Sequence, residues 1–343
     1  MKKKHPAIWL IPLILLLLLI PLIVPSALPF AGAEEADLPE YVPVELANPN
    51  PGQVPTEEVS WVKKATREKV VYAPHRNGFI TNEKGKNRGY LDGTISVRTD
   101  ERTINGTRVI FTWIQVADPS QIRAQFSNPY PSEGTAYPNK LYDRERWVVG
   151  ISGDSCTGIR AGTVIRNGKE YRKVDAPKYD QLIIDSKGDF HILQHVQASD
   201  LDAYEGNILH SFIFGPGLVI DGQRQEIGVE RDYGSAITFK KKAQRQVICQ
   251  MDTLSYLIVT TEGPEQSKNG GFTMYEMIDL VYECGAVNAY NLDGGCTTWL
   301  MMGADRVNNH NGRNLRPITD MIYFVTAEPD PDPEPTDETG GET

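Results

Sequence analysis

Familiar catalytic signatures are missing from this 343-residue chain. It has no His-Glu-x-x-His, no Gly-x-x-x-x-Gly-Lys-Ser/Thr and no Gly-x-Ser-x-Gly stretch. Zincin-type metalloproteases, P-loop nucleotide hydrolases and the strand–turn–helix nucleophile elbow are thereby set aside. Cysteine is scarce: Cys156, Cys249, Cys284 and Cys296 are all there is, none in Cys-x-x-Cys spacing. That excludes the usual structural zinc modules. In an exported protein the four permit two disulfides, in any of three pairings. His191 and His195 stand four apart with no carboxylate at ligand spacing, so they read as ordinary histidines, and neither metal nor cofactor is expected.

Positive charge is missing from two stretches. Residues 30–60 and 328–343 each carry seven acids and no Lys or Arg, so they hold more negative charge than the chain's net −10. The segment between them is close to neutral, so there is no broad basic field for duplex nucleic acid. Both stretches are rich in proline, without helical or strand period. They read as a linker (30–60) and a disordered acidic tail (328–343) around a folded body at 61–327.

Long hydrophobic runs are almost absent too, with one exception. Ala7–Val24 is uncharged and follows Lys2, Lys3 and Lys4. Its length sits at the short end of a membrane-spanning helix, and Pro12 and Pro21 would kink it. Ala31-Gly32-Ala33 fits a small-x-small cleavage site. Residues 1–29 therefore read as a membrane anchor or a cleaved secretory signal. Either one puts the body on the extracellular side of the membrane.

The body is dominated by short β-branched and apolar runs. Arg108–Val116, Gln181–Ile184, Phe190–Val196, Ser211–Phe214, Gln246–Gln250, Tyr256–Thr260 and Met321–Val325 read as strands. Two segments read as helices. One is a short one over Pro119–Ser127. The other is Thr273–Cys284, with a Thr273/Glu276 capping box, an apolar stripe of Met274, Met277, Ile278 and Val281, and Gly285 as its stop. A strand over Val287–Leu292 follows. The pattern is α+β: a mixed, mostly antiparallel sheet core with few helices, in a single globular domain behind the N-terminal hydrophobic segment.

That last strand runs into Asn291-Leu292-Asp293-Gly294-Gly295-Cys296-Thr297-Thr298. A carboxylate at a strand end, beside glycines that let a ligand approach the backbone and hydroxyls that can bind it, is a common catalytic placement.

Asn-Leu-Asp-Gly-Gly with following hydroxyl residues resembles the hallmark of the phosphodiester glycosidase family. Four further blocks resemble that family's pattern in order. They are Val149-Gly150-Ile151-Ser152-Gly153-Asp154 with Arg160 and Val164-Ile165-Arg166-Asn167-Gly168; Phe214–Gly222; Arg245–Gln250 with Glu262-Gly263; and Gly303, Asn308 and Arg316-Pro317-Ile318-Thr319-Asp320. The resemblance spans Trp147–Phe324. It implies hydrolysis of a sugar-1-phosphodiester between the anomeric carbon and its oxygen, as in exopolysaccharide or cell-envelope glycans. An oxocarbenium-like centre needs a carboxylate beside it, and guanidinium forks suit the phosphate. By resemblance, Asp293 and Asp154 form the catalytic pair with Glu262 as a third carboxylate. Arg245, Arg316 and Arg160 clamp phosphate. Asn291, Gly294, Gly295 and Thr297 hold the sugar. The sequence departs from the family at Ser152, usually Asn, and at Cys249 and Cys296, usually Gly. Cys156 and Cys296 both fall in pocket-facing blocks, so a Cys156–Cys296 disulfide is expected, leaving Cys249 with Cys284. The departures also motivate a catalytically inactive glycan-binding or scaffold protein on the same fold.

Overall fold

A computed structural model describes residues 73–228, 232–235, 237–264, 270–309 and 315–328. Segments 1–29 and 30–60 and the tail beyond Glu328 lie outside the described residues. No helix among the described residues is long and apolar enough to cross a membrane.

Among the described residues, three antiparallel sheets make up the core. The largest has nine strands, from Phe79–Thr81 at one edge through Ile95–Ile104 and Thr107–Val116 to Ser255–Thr261, Gln246–Asp252, Asn288–Asn291 and Gly217–Ile220. A second is built around Asp180–Asp185, Ile208–Phe214 and Val164–Arg166. The third sets Val149–Ser152 between Leu300–Met302 and Asp320–Phe324. Short alternating runs of Val, Ile and aromatic residues favour such half-buried pleated surfaces.

The helix Met274–Glu283 forms where its capping box predicts. Thr273 accepts from Glu276 N at 3.2 Å while Glu276 accepts from Thr273 N at 2.8 Å. Met274, Met277, Ile278 and Val281 are buried, and Gly285 closes the helix at φ +79°. The chain then enters Asn288–Asn291, whose four residues are all buried.

That strand joins the sheets. It pairs with Gln246–Asp252 on one side and Gly217–Ile220 on the other. Tyr290 gives its hydroxyl to Asp180 O at 2.6 Å and receives Phe214 N at 2.8 Å, reaching the second sheet.

Two segments differ from the sequence reading. Pro119–Ser127 is a single 3-10 turn, Pro119–Gln121, followed by a strand, Ile122–Phe126. Asp118 caps the turn through Ser120 N at 2.8 Å, but Ile122, Ala124 and Phe126 then bury on alternate positions. The period of two, paired against Asp320–Phe324, outweighs the local helical signal. A helix at Pro138–Glu145, with proline in its first turn, was not anticipated. Its Leu141 packs in a cluster with Trp147, Trp299, Met321 and Tyr323.

His210, on Ile208–Phe214, is fully buried. Its Nδ1 accepts from Asn167 N at 3.1 Å and its Nε2 lies 3.0 Å from Ile122 O. Burial pushes its pKa from 6.5 down to about 3, against the hydrogen bond to Ile122 and with help from the charges of Arg166 and Arg123. A histidine whose folded pKa is depressed contributes stability present above pH 6.5 and lost as pH falls toward 3. Wild-type urea midpoints should therefore fall across that interval more steeply than those of H210Q. Parallel curves for the two proteins would contradict the neutral buried imidazole.

Candidate active site

Asp293 stands just past the end of Asn288–Asn291, where two sheets meet. Leu292 N donates to Gln246 O at 2.9 Å, Asp293 N to Gly153 O at 3.2 Å, and Gly295 N to Gln244 O at 3.0 Å. A side chain at 294 would meet Gln244 O at 2.9 Å, and Gly295 has φ +60°. Glycine is needed at the first for space and suits the second for conformation. Asp293 as a whole residue is half-buried, and its carboxyl is largely shielded from water. Ser155 Oγ donates to its Oδ2 at 2.8 Å. Burial raises the Asp293 pKa above the usual carboxylate range, while hydrogen bonds from Ser155 and Thr297 and the charge of Arg316 oppose the rise. This is a desolvated carboxylate with the Ser155 hydroxyl donating to it and the Thr297 hydroxyl and a guanidinium nearby.

Directly behind it lies a fully buried cluster. Arg166 Nη2 is 3.0 Å from Asp154 Oδ1 and 3.0 Å from Asp320 Oδ2. The guanidinium also lies 4.2 Å from the centre of the Phe212 ring. Burial works against the charge of Arg166, and the two carboxylates more than offset it, keeping it protonated. Burial, and the charge of Asp154 beside it, push the Asp320 pKa up, while Arg166 opposes the rise. Two acids share one guanidinium. Asp154, Cys156 and Asp320 place potential ligand atoms within 4.8 Å of one another. Among them Arg166 supplies the positive charge that the carboxylates require.

The residues named from sequence fall into different places. Asp293, Gly294, Gly295, Thr297 and Arg316 come together. Thr297 Oγ1 donates to Gly294 O at 2.6 Å, and Arg316 N donates to Cys296 O at 2.9 Å. Asp154 lies behind them with both oxygens engaged: Oδ1 accepts from Cys156 N at 2.9 Å and from Arg166, and Oδ2 from Ile213 N at 2.7 Å. Asn291 is buried and donates to Gly215 O at 2.7 Å. Glu262 is ion-paired with Arg108 at 2.6 Å. Arg245 donates to the backbone carbonyls of Phe272, Thr238 and Lys241. Arg160 turns outward, highly exposed, and pairs with Glu133.

The expected disulfides are corrected: all four cysteines are free thiols. Cys156 is fully buried against Asp154, whereas Cys296 sits partly exposed on the outer turn. Burial also keeps Cys249 and Cys284 protonated, the latter pushed up to about 12, and a protonated thiol is a poor nucleophile for disulfide exchange. The serine at 152 has a structural post. Its hydroxyl donates to Thr297 O and accepts from Trp299 N at 3.1 Å, tying the glycine turn to Val149–Ser152.

Ser155, Arg166 and Asp320 were not singled out from sequence. Arg166 and Asp320 sit in family-like blocks, which was the available signal. Nothing in the order of residues said that their side chains meet.

A family model for phosphodiester glycosidases matches residues 145–325, more than half the chain. The chain belongs to the phosphodiester glycosidase family. The matched domain holds Asp293, Ser155, Arg316 and the whole buried cluster. The chain resembles in fold the catalytic domain of zebrafish N-acetylglucosamine-1-phosphodiester alpha-N-acetylglucosaminidase, solved in a form auto-inhibited by its pro-peptide. The TM-score is 0.53 at 15% identity, covering 75% of this chain and 87% of that one. In sequence the chain is 25% identical over 194 residues to the SPbeta prophage-derived uncharacterized protein YomE of Bacillus subtilis (strain 168). That match covers 55% of this chain but only 29% of the relative, so the chain spans under a third of its length.

Proposed function

We propose that this domain hydrolyses the glycosidic bond of a sugar-1-phosphodiester, acting on cell-envelope or exopolysaccharide glycans outside the cytoplasm. Water is added, the anomeric C–O bond breaks, and free sugar and a phosphomonoester leave. The observation that carries the reading is Asp293: a desolvated carboxylate on a half-buried residue just past a strand end, with hydroxyls from Ser155 and Thr297 and the Arg316 charge around it. Ionised, Asp293 stabilises or attacks the oxocarbenium-like centre, or activates the water. A phosphate leaving group requires little help from a general acid, so a cation near the departing oxygens serves better, and Arg316 takes that role. Membership of the family supports the reaction class. Lys2–Lys4 ahead of the apolar Ala7–Val24 run support an extracellular setting, with the membrane as a partner if that run is retained as an anchor.

The test is a panel of sugar-1-phospho-alkyl compounds, with released sugar and phosphomonoester read separately. Equimolar release of both is expected; release of neither across the panel would sink the hydrolase reading. A second reading, glycan binding without turnover, draws on Arg245 and Arg160 being engaged elsewhere, which leaves Arg316 as the guanidinium near Asp293 among the three arginines named. Calorimetric binding of panel members without product would favour it.

A further inference from the structure

Resting on the assignment of Asp293 as the reacting carboxylate, we propose that Asp320 is a positioning residue. It anchors the turn at Ser155 and thereby holds the hydrogen bond that Ser155 gives to Asp293. Three consecutive backbone N–H groups converge on Asp320. Gly153 N donates to its carbonyl at 3.0 Å, Asp154 N to its Oδ2 at 3.3 Å, and Ser155 N to its Oδ1 at 3.2 Å. Successive amides wrapped around an anion form a nest, and the anion here is a side chain of the protein itself.

The nest has a cost that shows it is enforced. Ser155 has φ +59°, a left-handed conformation that a residue with a Cβ adopts only when its surroundings demand it. A turn closes behind it, with Gly158 N and Ile159 N both donating to Ser155 O. In this conformation the backbone N–H points to Asp320 while Oγ reaches Asp293 Oδ2 at 2.8 Å. There is no slack in the approach, because a Cβ on Gly153 would stand 2.0 Å from Asp320 Oδ2. Asp320 in turn is held by Arg166 at 3.0 Å, by the Thr319 hydroxyl at 3.0 Å and by its place opposite Phe126 in the third sheet.

The groups facing each carboxyl are accounted for. Around Asp293 stand Ser155, Thr297, Arg316 and the charge of Asp320. Around Asp320 stand Asp154, Arg166, Cys156 and the Thr319 hydroxyl. Asp320 therefore acts on Asp293 in two opposed ways. Its charge raises the Asp293 pKa directly, whereas through Ser155 it secures a hydrogen bond that lowers it. A single substitution at 320 mixes these effects. A double-substitution cycle separates them, since only the second passes through residue 155.

The experiment uses the full chain as wild type, S155A, D320A and S155A/D320A. The titration of the Asp293 carboxyl is followed by carbon-13 NMR, with D293N assigning the resonance, beside kcat and KM against pH on the best substrate of the panel. S155A should raise the Asp293 pKa, because it removes a donor to the charged form, and move the acid limb of kcat to higher pH. It should lower kcat about tenfold with KM little changed. With Asp320 already replaced by alanine, the further change Ser155→Ala should move neither the titration nor kcat. A shift of the same size in both backgrounds would overturn the proposal and leave Asp320 as a structural residue only.

D320N guards against failure of D320A to fold. Its neutral oxygen accepts more weakly from Ser155 N–H than a carboxylate does. The Ser155→Ala shift should then be smaller than in wild type, and an undiminished shift in folded D320N overturns the proposal equally. The titration needs no turnover. A wild-type protein inert on the whole panel would refute the hydrolase reading while the cycle still decides whether Asp320 holds Ser155.

Discussion

D293N is expected to lower kcat by about three orders of magnitude or more, with the fold intact. The loss follows from what the amide cannot do: it carries no negative charge to face an oxocarbenium-like centre, and it neither attacks nor takes a proton from water. The fold stands because the amide oxygen still accepts from Ser155 Oγ in place of Oδ2. Stability even has a direction. Burial raises the Asp293 pKa, so its ionised form weakens the folded state once the pH exceeds that pKa. D293N should accordingly melt at the same temperature as wild type or slightly higher at neutral pH. Calorimetric melts alongside initial rates check both parts. A D293N protein with wild-type turnover would remove Asp293 from the reaction.

The second large effect lies behind the site. R166M should destabilise the protein by about 3–5 kcal/mol, the usual consequence of breaking a buried charge arrangement from one side. Asp154 and Asp320 would then face one another with no cation between them, and Phe212 would lose the charge 4.2 Å from its ring centre. The deficit should depend on pH, with a definite sign. Arg166 holds the Asp320 pKa down, so without it that pKa, already raised by burial, climbs further. A carboxyl whose folded pKa is raised contributes stability at low pH that is lost as pH rises. Urea midpoints for R166M should therefore lie further below wild type at pH 8 than at pH 5. Adding D320N should recover part of the loss at pH 8. A deficit equal at both pH values would mean that the guanidinium serves packing rather than charge balance.

How much of this could be read in the sequence differs by element. The helix Met274–Glu283 and the strand feeding Asp293 were legible because their signals are local: a capping box, a stripe at helical spacing, a stopping glycine, then a buried apolar run. Ile122–Phe126 was not. Pro119 and Asp118 begin a helical turn, and only pairing with Asp320–Phe324 shows why alternation prevails beyond it. The functional residues divide in the same way. Asp293 and its glycines announce themselves as a turn after a strand. Ser155 became visible only when its left-handed turn placed Oγ beside Asp293.

By itself the sequence determined the class of the fold, the glycine turn with its carboxylate, and the family, because each rests on neighbours along the chain or on short ordered blocks. Only the tertiary structure decided which charges face water and which face each other. Asp154 and Arg166 stand 12 residues apart, and Arg166 and Asp320 stand 154 apart. The pairing of a buried charge is a property of where the sheets bring side chains together, and no local pattern of residues encodes that distance.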